Sequence, residues 1–341
     1  MAAKRRRACI AAGSPCSVPG NRIRKTNVTK PDTSDAAARN PSPRFDTGFS
    51  PQYGVSESVA PDVSRIVCEN PSPFTFKGTG TFIVDGGAGS REAVVIDPGP
   101  QDDAHLAALV TALEGYNVTA IAITHTHRDH SPLAEALKEA TGARIVGCAP
   151  WAPRDSAGGA AQKGLDASND KDYAPDEVMR DGDTLTIGQH TLTAVSTPGH
   201  TANHLAFSLD GAVLFSGDHV MGWSTTVIAS PDGHMRSYME SLEKIGARDE
   251  SLYLPAHGGA VRQPQRFVRG LITHRKQRET QILKRLESGD SRISDMIPKL
   301  YPELDEKLHG AAALSVSAHI DDLIERGIVS ATEADGGFRL I

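Results

Sequence analysis

The 341-residue sequence has few cysteines and no long apolar segment, and both absences exclude classes of protein. Its four cysteines contain no Cys-x-x-Cys pair, which argues against a disulfide framework and against a thiolate metal site. No stretch approaches the roughly 18 apolar residues of a membrane-spanning helix, so we expect no membrane partner. A reducing compartment, the cytoplasm, is the simplest interpretation of so few scattered thiols.

Charge is distributed unevenly between the start of the chain and the rest. Residues 1–44 hold 10 Lys and Arg against 2 Asp and Glu, whereas residues 45–341 hold 26 against 40. Residues 1–52 also lack apolar periodicity, so they predict a basic, disordered tail. A solvated tail is the simpler interpretation, and a mitochondrial location would follow if the tail were a presequence. The acidic remainder argues against tight nonspecific binding of nucleic acid.

Two regions that differ in their pattern of apolar and charged residues follow the tail. Over residues 53–262, short β-branched runs alternate with helical patterns, which predicts one layered α/β catalytic domain. Within it, Ser131 and Pro132 are typical of an N-cap and a first helical residue. Residues 263–341 predict a small domain that begins with a long charged helix over residues 264–287 and ends with a glycine-tipped pair of strands. That order of helices and strands is winged-helix-like.

Histidine is concentrated in the segment T-H-T-H-R-D-H, residues 124–130, which follows a predicted strand. Residues i and i+2 of an extended chain point to the same side, so His125 and His127 can converge on one ion. The chain then turns toward a helix, which lets Asp129 and His130 aim at a second ion nearby. Imidazole and carboxylate ligands suit zinc, and also manganese or iron.

Two metal ions need more ligands than this one segment supplies. Three further candidates each follow a predicted strand and a turn of small residues: His200, Asp218 and His257. Loops at one edge of a rigid scaffold are where such sites are commonly built. Of the other histidines, His204 either hydrogen-bonds a ligand or packs, and His219 could face the substrate. No chemical role is expected for the rest: His105, His190, His234, His309 and His319.

The ordered set of H-x-H-x-D-H, a distant His, an Asp and a His resembles the metallo-β-lactamase fold superfamily. The resemblance implies an αββα sandwich that holds two divalent ions, with zinc favoured. It implies that one ion binds His125, His127 and His200, that the other binds Asp129, His130 and His257, and that Asp218 bridges them. Two ions bridged in this way share a hydroxide at neutral pH, with Asp129 able to orient it, so Asp129 and Asp218 are the expected catalytic residues of a hydrolase. By the same resemblance, Asp97 has a supporting role.

More of the chain resembles the β-lactamase-like endoribonucleases with a C-terminal winged-helix domain. The shared motifs are N-P-x-P-x-T at residues 70–75, Gly78-Thr79, a Ser-Gly-Asp followed by Thr225-Thr226, and H-R-x-x-R-E-x-Q-I-L at residues 274–283. Fungal polyketide thioesterases share this pattern.

The charge of the C-terminal region bears on the choice of substrate. Residues 275–341 contain 10 basic and 12 acidic residues, which makes a poor platform for RNA. We therefore favour a small acyl ester or thioester as the substrate. The alternatives are cleavage of single-stranded RNA and metal-dependent binding without turnover. The winged-helix region would then be a lid, an extension of the core or a homodimer contact.

Overall fold

The computed structural model describes residues 43–152, 168–332 and 336–341. The predicted tail lies outside the described residues as far as residue 42. Residues 43–52 form no helix, but Phe45 packs edge-on against the ring of Phe267 at a centroid distance of 5.9 Å. The helices are α1 Asp103–Ala112, α2 Ala134–Thr141, α3 Met235–Gly246, α4 Pro264–Glu287, α5 Ile293–Leu300 and α6 His309–Glu325, with a 3₁₀ turn at Glu306–Leu308.

Two large sheets organise most of these residues. The first contains seven strands in the order of the chain: β1 Glu57–Ala60, β2 Val63–Val67, β3 Gly80–Asp85, β4 Glu92–Ile96, β5 Asn117–Ile123, β6 Arg144–Gly147 and β7 Glu177–Val178. Its first four strands are antiparallel neighbours, and β4 to β7 run parallel. The second sheet, in the order β12-β11-β10-β9-β8, contains β8 Thr184–Ile187, β9 His190–Ser196, β10 Leu205–Leu209, β11 Val213–Gly217 and β12 Leu252–Pro255.

Alternation along the strands of the second sheet explains how the layers stack. In β10, Leu205 and Phe207 join the core between the two sheets, whereas Ala206 joins a second core under α3 and α4. Successive side chains of a strand point to opposite faces, so both faces of this sheet are covered. Leu109 of α1 and Leu137 of α2 are fully buried in the first core. The result is the expected αββα sandwich, with α1 and α2 on one side and α3 and α4 on the other.

The start of α2 differs from the sequence-based prediction. The helix begins at Ala134, and Ser131 and Pro132 precede it in a turn. The Ser131 hydroxyl does not cap the helix because it donates to Asp170 Oδ2 at 2.7 Å. The Leu133 N–H donates to the Gly99 carbonyl at 3.1 Å, which ties this turn to the end of β4.

The C-terminal region has its own core. Ile282 and Leu286, in the last turns of α4, are buried with residues of α5 and α6 and with Val329. A two-stranded sheet, β13 Val329–Ala331 and β14 Phe338–Leu340, completes the predicted helix and hairpin pattern. The first half of α4 packs instead against α3, where Val268 and Leu271 are buried. Helix α4 thus contributes residues to both cores. Within the described part of the chain, no helix is long and apolar enough to cross a membrane.

Candidate metal centre

The seven candidate ligands lie at one edge of the sandwich, where several strands end. The segment 125–130 follows β5, Asp218 follows β11 and His257 follows β12. Strands β4 and β5 are parallel, as are β11 and β12, so the carboxyl ends of each pair meet at the same edge. Two backbone hydrogen bonds join the sheets there, from Gly80 N–H to Ala256 O at 2.7 Å and from Leu205 N–H to Thr124 O at 2.8 Å.

One group of side chains that could hold a metal ion consists of His125, His127, His200 and Asp218, with one donor atom from each lying within 4.8 Å of the others. His127 Nδ1 lies 3.0 Å from His125 Nε2 and 3.1 Å from His200 Nε2. Asp218 Oδ2 lies 3.5 Å from His200 Nε2. Three imidazoles and one carboxylate thus face a common point.

A second group consists of Asp129, His130 and His257. Asp129 Oδ2 lies 3.2 Å from His257 Nε2 and 3.4 Å from His130 Nε2. The other carboxylate oxygen of Asp218, Oδ1, lies 3.2 Å from His257 Nε2 and 3.6 Å from His130 Nε2. Asp218 therefore stands between the two groups, with one oxygen directed to each.

These separations fit divalent ions. Ligand atoms at about 2.0–2.2 Å from a tetrahedral zinc ion lie roughly 3.3–3.6 Å from one another, close to the distances in both groups. Two donor atoms at the centre, His130 Nε2 and Asp218 Oδ1, are buried without a hydrogen-bond partner. Buried polar atoms are nearly always satisfied, so an unpaired nitrogen and an unpaired oxygen side by side are what a cation would complete.

Asp97 fixes the tautomers of two of the histidines. Its Oδ2 accepts from His130 Nδ1 at 3.0 Å and from the Thr124 hydroxyl at 2.7 Å. The same hydroxyl lies 3.0 Å from His125 Nδ1 and accepts its proton. With Nδ1 protonated in both rings, the Nε2 lone pairs of His125 and His130 face the centre. Such outer partners orient metal ligands and raise their basicity.

Backbone carbonyls do the same for two other histidines. His200 Nδ1 donates to Val227 O at 2.8 Å, and His257 Nδ1 donates to Gly78 O at 3.3 Å. In the neutral form of each ring the lone pair therefore lies on Nε2, toward the two groups. The ring orientations of His200 and His257 consequently depend on loops that contribute no ligand.

Electrostatics at the centre opposes protonation of two of the histidines and keeps the shared carboxylate ionised. Burial, reinforced by neighbouring imidazoles, lowers the pKa of His127 to about 3 and holds that of His125 well below its usual range. Burial also opposes ionisation of Asp218, but His257 and His130 outweigh it and keep the pKa of this carboxyl well below its usual range. Conversely, although burial lowers the pKa of His257, Asp218 and Asp129 raise it to about 10. The carboxylates therefore attract cations, as protons or as metal ions.

Two further histidines of the sequence analysis have distinct positions. His204 Nε2 accepts from the backbone N–H of Asp218 at 3.2 Å, and its Nδ1 lies 2.8 Å from the Thr197 hydroxyl, so His204 supports the shared carboxylate. His219 is fully buried and packs on the ring of Tyr238 at 4.7 Å, so it does not face a substrate.

Two residues at the centre had no role assigned from sequence. The Thr79 hydroxyl donates to Asp129 Oδ2 at 3.3 Å. Asn70 holds Thr79 in turn, because its Oδ1 accepts from the Thr79 N–H at 2.8 Å and its Nδ2 donates to the Thr79 hydroxyl at 3.0 Å. Both residues belong to motifs that carried the family resemblance. Their polar side chains next to a buried strand were the feature of the sequence that could have indicated a role at the centre.

A cavity of about 370 Å³ opens beside the two groups. Among the described residues that line it, Arg128 is the one with a cationic side chain. Phe74 stands at the cavity with 54% of its surface exposed. The apolar wall consists of Phe74, Met221, Val227, Ala229 and Pro231.

Comparison with known proteins identifies the relatives of this chain. Residues 77–257 match the metallo-beta-lactamase superfamily, and residues 293–337 match the beta-lactamase associated winged helix domain. The beta-lactamase-like protein 2 homolog of Drosophila melanogaster is 30% identical over 276 residues, which cover 78% of this chain and 88% of the relative. An atrochrysone carboxyl ACP thioesterase of Cryptosporiopsis sp. is 30% identical over 239 residues, which cover 69% of this chain and 66% of the relative.

A solved structure supports the fold independently. The crystal structure of a beta-lactamase domain protein from Burkholderia ambifaria superposes with a TM-score of 0.72 at 24% identity, covering 86% of this chain and 96% of that one. Members of the matched superfamily are mostly hydrolases and bind divalent metals. The chain therefore belongs to the metallo-beta-lactamase superfamily and carries the winged-helix domain associated with it.

Proposed function

We propose that this protein is a hydrolase of small acyl esters or thioesters that uses two divalent metal ions, with zinc favoured. One ion would be held by His125, His127 and His200, the other by Asp129, His130 and His257, and Asp218 would be shared. The observation that carries the proposal is the pair of donor groups on either side of Asp218, next to a cavity with an apolar wall.

Bound divalent ions supply two kinds of chemistry at such a site, acidification of a water molecule and polarisation of the scissile carbonyl. The protein's own residues then do the rest. Asp129 is one of five candidate ligands that line the cavity, and its Oδ2 accepts from the Thr79 hydroxyl at 3.3 Å, so its carboxylate is placed to orient a water or carry its proton. Although burial raises the pKa of Asp129, His130 and His257 outweigh it, so the group is ionised at neutral pH.

The cavity wall supports an acyl substrate rather than RNA. Apolar side chains next to the centre can bury the chain of an acyl group, and each methylene buried contributes about 0.8 kcal/mol. Binding of single-stranded nucleic acid relies on a cationic groove and several stacking aromatic rings. Among the described lining residues, Arg128 is the one Lys or Arg, and Phe74 is the one Phe, Tyr or Trp. The similarity to relatives named as acyl carrier protein thioesterases agrees with this choice.

Hydrolysis assays with the purified full chain test the proposal. Acyl-coenzyme A thioesters of increasing chain length and a single-stranded RNA are offered separately, each before and after dialysis against a chelator. We expect thioester cleavage that is lost with the metal, that returns when zinc is added, and that improves with acyl length.

Two variants serve as a matched pair for these assays. Asp218→Ala removes the shared carboxylate and should lower the rate by about 10³-fold, because metal ions provide several kcal/mol of transition-state stabilisation. Asp249→Ala makes the same change at an exposed surface position and should leave the rate unchanged. RNA cleavage without thioester cleavage would refute the substrate class, and full activity of Asp218→Ala would refute the site.

A further inference from the structure

The loop that joins β11 to α3, residues 219–234, forms one side of the cavity. It contains no helix or strand, yet five of its residues line the cavity: Met221, Val227, Ala229, Pro231 and Asp232. Loops of this kind move readily unless side chains from a rigid element hold them.

The same loop is attached to the candidate metal centre at two points. The Val227 carbonyl accepts from His200 Nδ1 at 2.8 Å, so the position of the loop determines the orientation of that ring. The Thr226 hydroxyl donates to the carbonyl of Asp218 at 2.7 Å. A displacement of the loop would therefore affect a candidate ligand as well as the cavity wall.

On its other side the loop is held by the two long helices that follow the sandwich. Arg275 of α4, only 3% exposed, donates from Nη2 to the Thr226 carbonyl. Asp321 of α6 accepts from the Ser230 hydroxyl at 2.6 Å. Glu325, at the end of α6, accepts from His234 Nε2 at 3.1 Å. Three side chains from the C-terminal part thus hold successive points of the loop.

We propose that helices α4 and α6 position the loop 219–234, with Arg275 and Asp321 as positioning residues for His200 and for the substrate wall. The inference rests on the proposed function for its consequence in catalysis, but the contacts stand independently of any substrate. In this role the winged-helix region supports the loop on the side away from the cavity. Its acidic side chains Asp321 and Glu325 accept hydrogen bonds from Ser230 and His234 of the loop.

Charge and burial explain why Asp321 has the largest expected effect of the acceptors on α6. Hydrogen bonds to a charged acceptor are shorter and stronger than neutral ones, and the Ser230 contact is both short and half-buried. Glu325 is exposed, so water competes for its bond to His234. Arg275 lies in a tightly packed core, and its removal would also disturb packing.

The experiment uses Asp321→Ala in the full chain, with three measurements. Hydrogen–deuterium exchange monitors the amide of Gly233, which donates to Ala229 O within the loop, and the amide of His234, which donates to Gly199 O between β9 and β10. Zinc titration of the metal-free protein in competition with a chelator monitors His200. Steady-state hydrolysis of an acyl thioester monitors the wall. We expect faster exchange, about 10-fold weaker zinc binding in one step, and a KM that rises 5- to 30-fold, more than kcat falls.

Other variants separate positioning from a loss of folding. Ser230→Ala removes the same hydrogen bond from the loop side and should reproduce the effects. Asp321→Asn keeps an acceptor oxygen and should therefore behave much like the unmodified protein in all three measurements. Glu303→Ala, an exposed acid in the same region, is the control.

The outcomes keep this inference apart from the proposed function. If Asp321→Ala matches the unmodified protein in exchange and zinc binding, the inference is wrong even when thioester hydrolysis is confirmed. Faster exchange with unchanged zinc binding would also overturn it, because the loop would then not reach His200. If no thioester is cleaved, the exchange and zinc measurements still decide the matter.

Discussion

Replacing Asp97 by asparagine should weaken the hydrogen bonds that Thr124 and His130 donate to this side chain, while keeping its shape. The Asp97 carboxylate is 2% exposed and accepts three hydrogen bonds. Oδ1 accepts from the Thr124 N–H at 2.8 Å, and Oδ2 accepts from the Thr124 hydroxyl at 2.7 Å and from His130 Nδ1 at 3.0 Å. An amide has one accepting oxygen, so in either orientation its NH₂ group faces a donor.

The magnitude follows from these three contacts. A hydrogen bond to a charged acceptor contributes about 1.5–3 kcal/mol, and a buried donor left without a partner costs a similar amount. We expect Asp97→Asn to lower the free energy of unfolding by about 2–3 kcal/mol. The change also favours the other tautomer of His130, with its proton on Nε2 toward the centre, so zinc affinity should fall by about 10- to 100-fold.

Urea denaturation and zinc titration of the metal-free protein measure the two effects separately. Asp102→Asn is the matched control, because Asp102 caps α1 by accepting from the His105 N–H at 2.7 Å, and asparagine caps a helix equally well. If Asp97→Asn binds two equivalents of zinc with the affinity of the unmodified protein, Asp97 does not set the tautomer of His130, and the assignment of its role is refuted.

Two further predictions concern residues that are not themselves candidate ligands. Thr79→Val removes the hydroxyl that donates to Asp129 and keeps the volume of the side chain. We expect about 10-fold slower hydrolysis with unchanged zinc stoichiometry. An unaltered rate would show that this hydrogen bond is dispensable. Burial lowers the pKa of His190, but its hydrogen bonds to Asp210 and Asp62, at 2.6 and 3.0 Å, outweigh burial and raise it. The raised pKa means that its stabilisation is fully present below the unfolded-state value of about 6.5 and is lost as pH rises through the folded-state value. His190→Ala should therefore reduce stability by about 0.5–1 kcal/mol near pH 5.5 and by less near pH 9 in urea denaturation, and an equal loss at both would contradict the ion-pair explanation.

The family of this protein is evident from local sequence because its chemistry is concentrated in short motifs. Spacing alone places His125 and His127 on one side of an extended segment, and the ordered appearance of His200, Asp218 and His257 after strands indicates the rest. The alternation of β-branched runs with helical patterns was sufficient for the layered fold. Helix α4 was predicted over residues 264–287, the bounds found in the structure.

Other features could not be predicted because local sequence competes with distant partners. Ser131 is of a residue type that favours the N-cap position, but its hydroxyl donates to Asp170, 39 residues away. His105 and His319 lie in helices and would pass for surface residues, yet both are buried. Whether a helical position faces a core depends on which element packs there, which one sequence does not specify.

The sequence by itself determined the chemical types of the donors, their order and their place at strand ends, because ligand spacing and strand periodicity are local properties. Tertiary structure alone decided which groups support them. A bridge between Thr79, which precedes β3, and His257, which follows β12, places Thr79 beside Asp129. The packing of α6 brings Asp321 to Ser230, 91 residues away. Such contacts depend on how sheets and helices stack, and hydrogen bonds between distant residues leave no periodic signal in the chain.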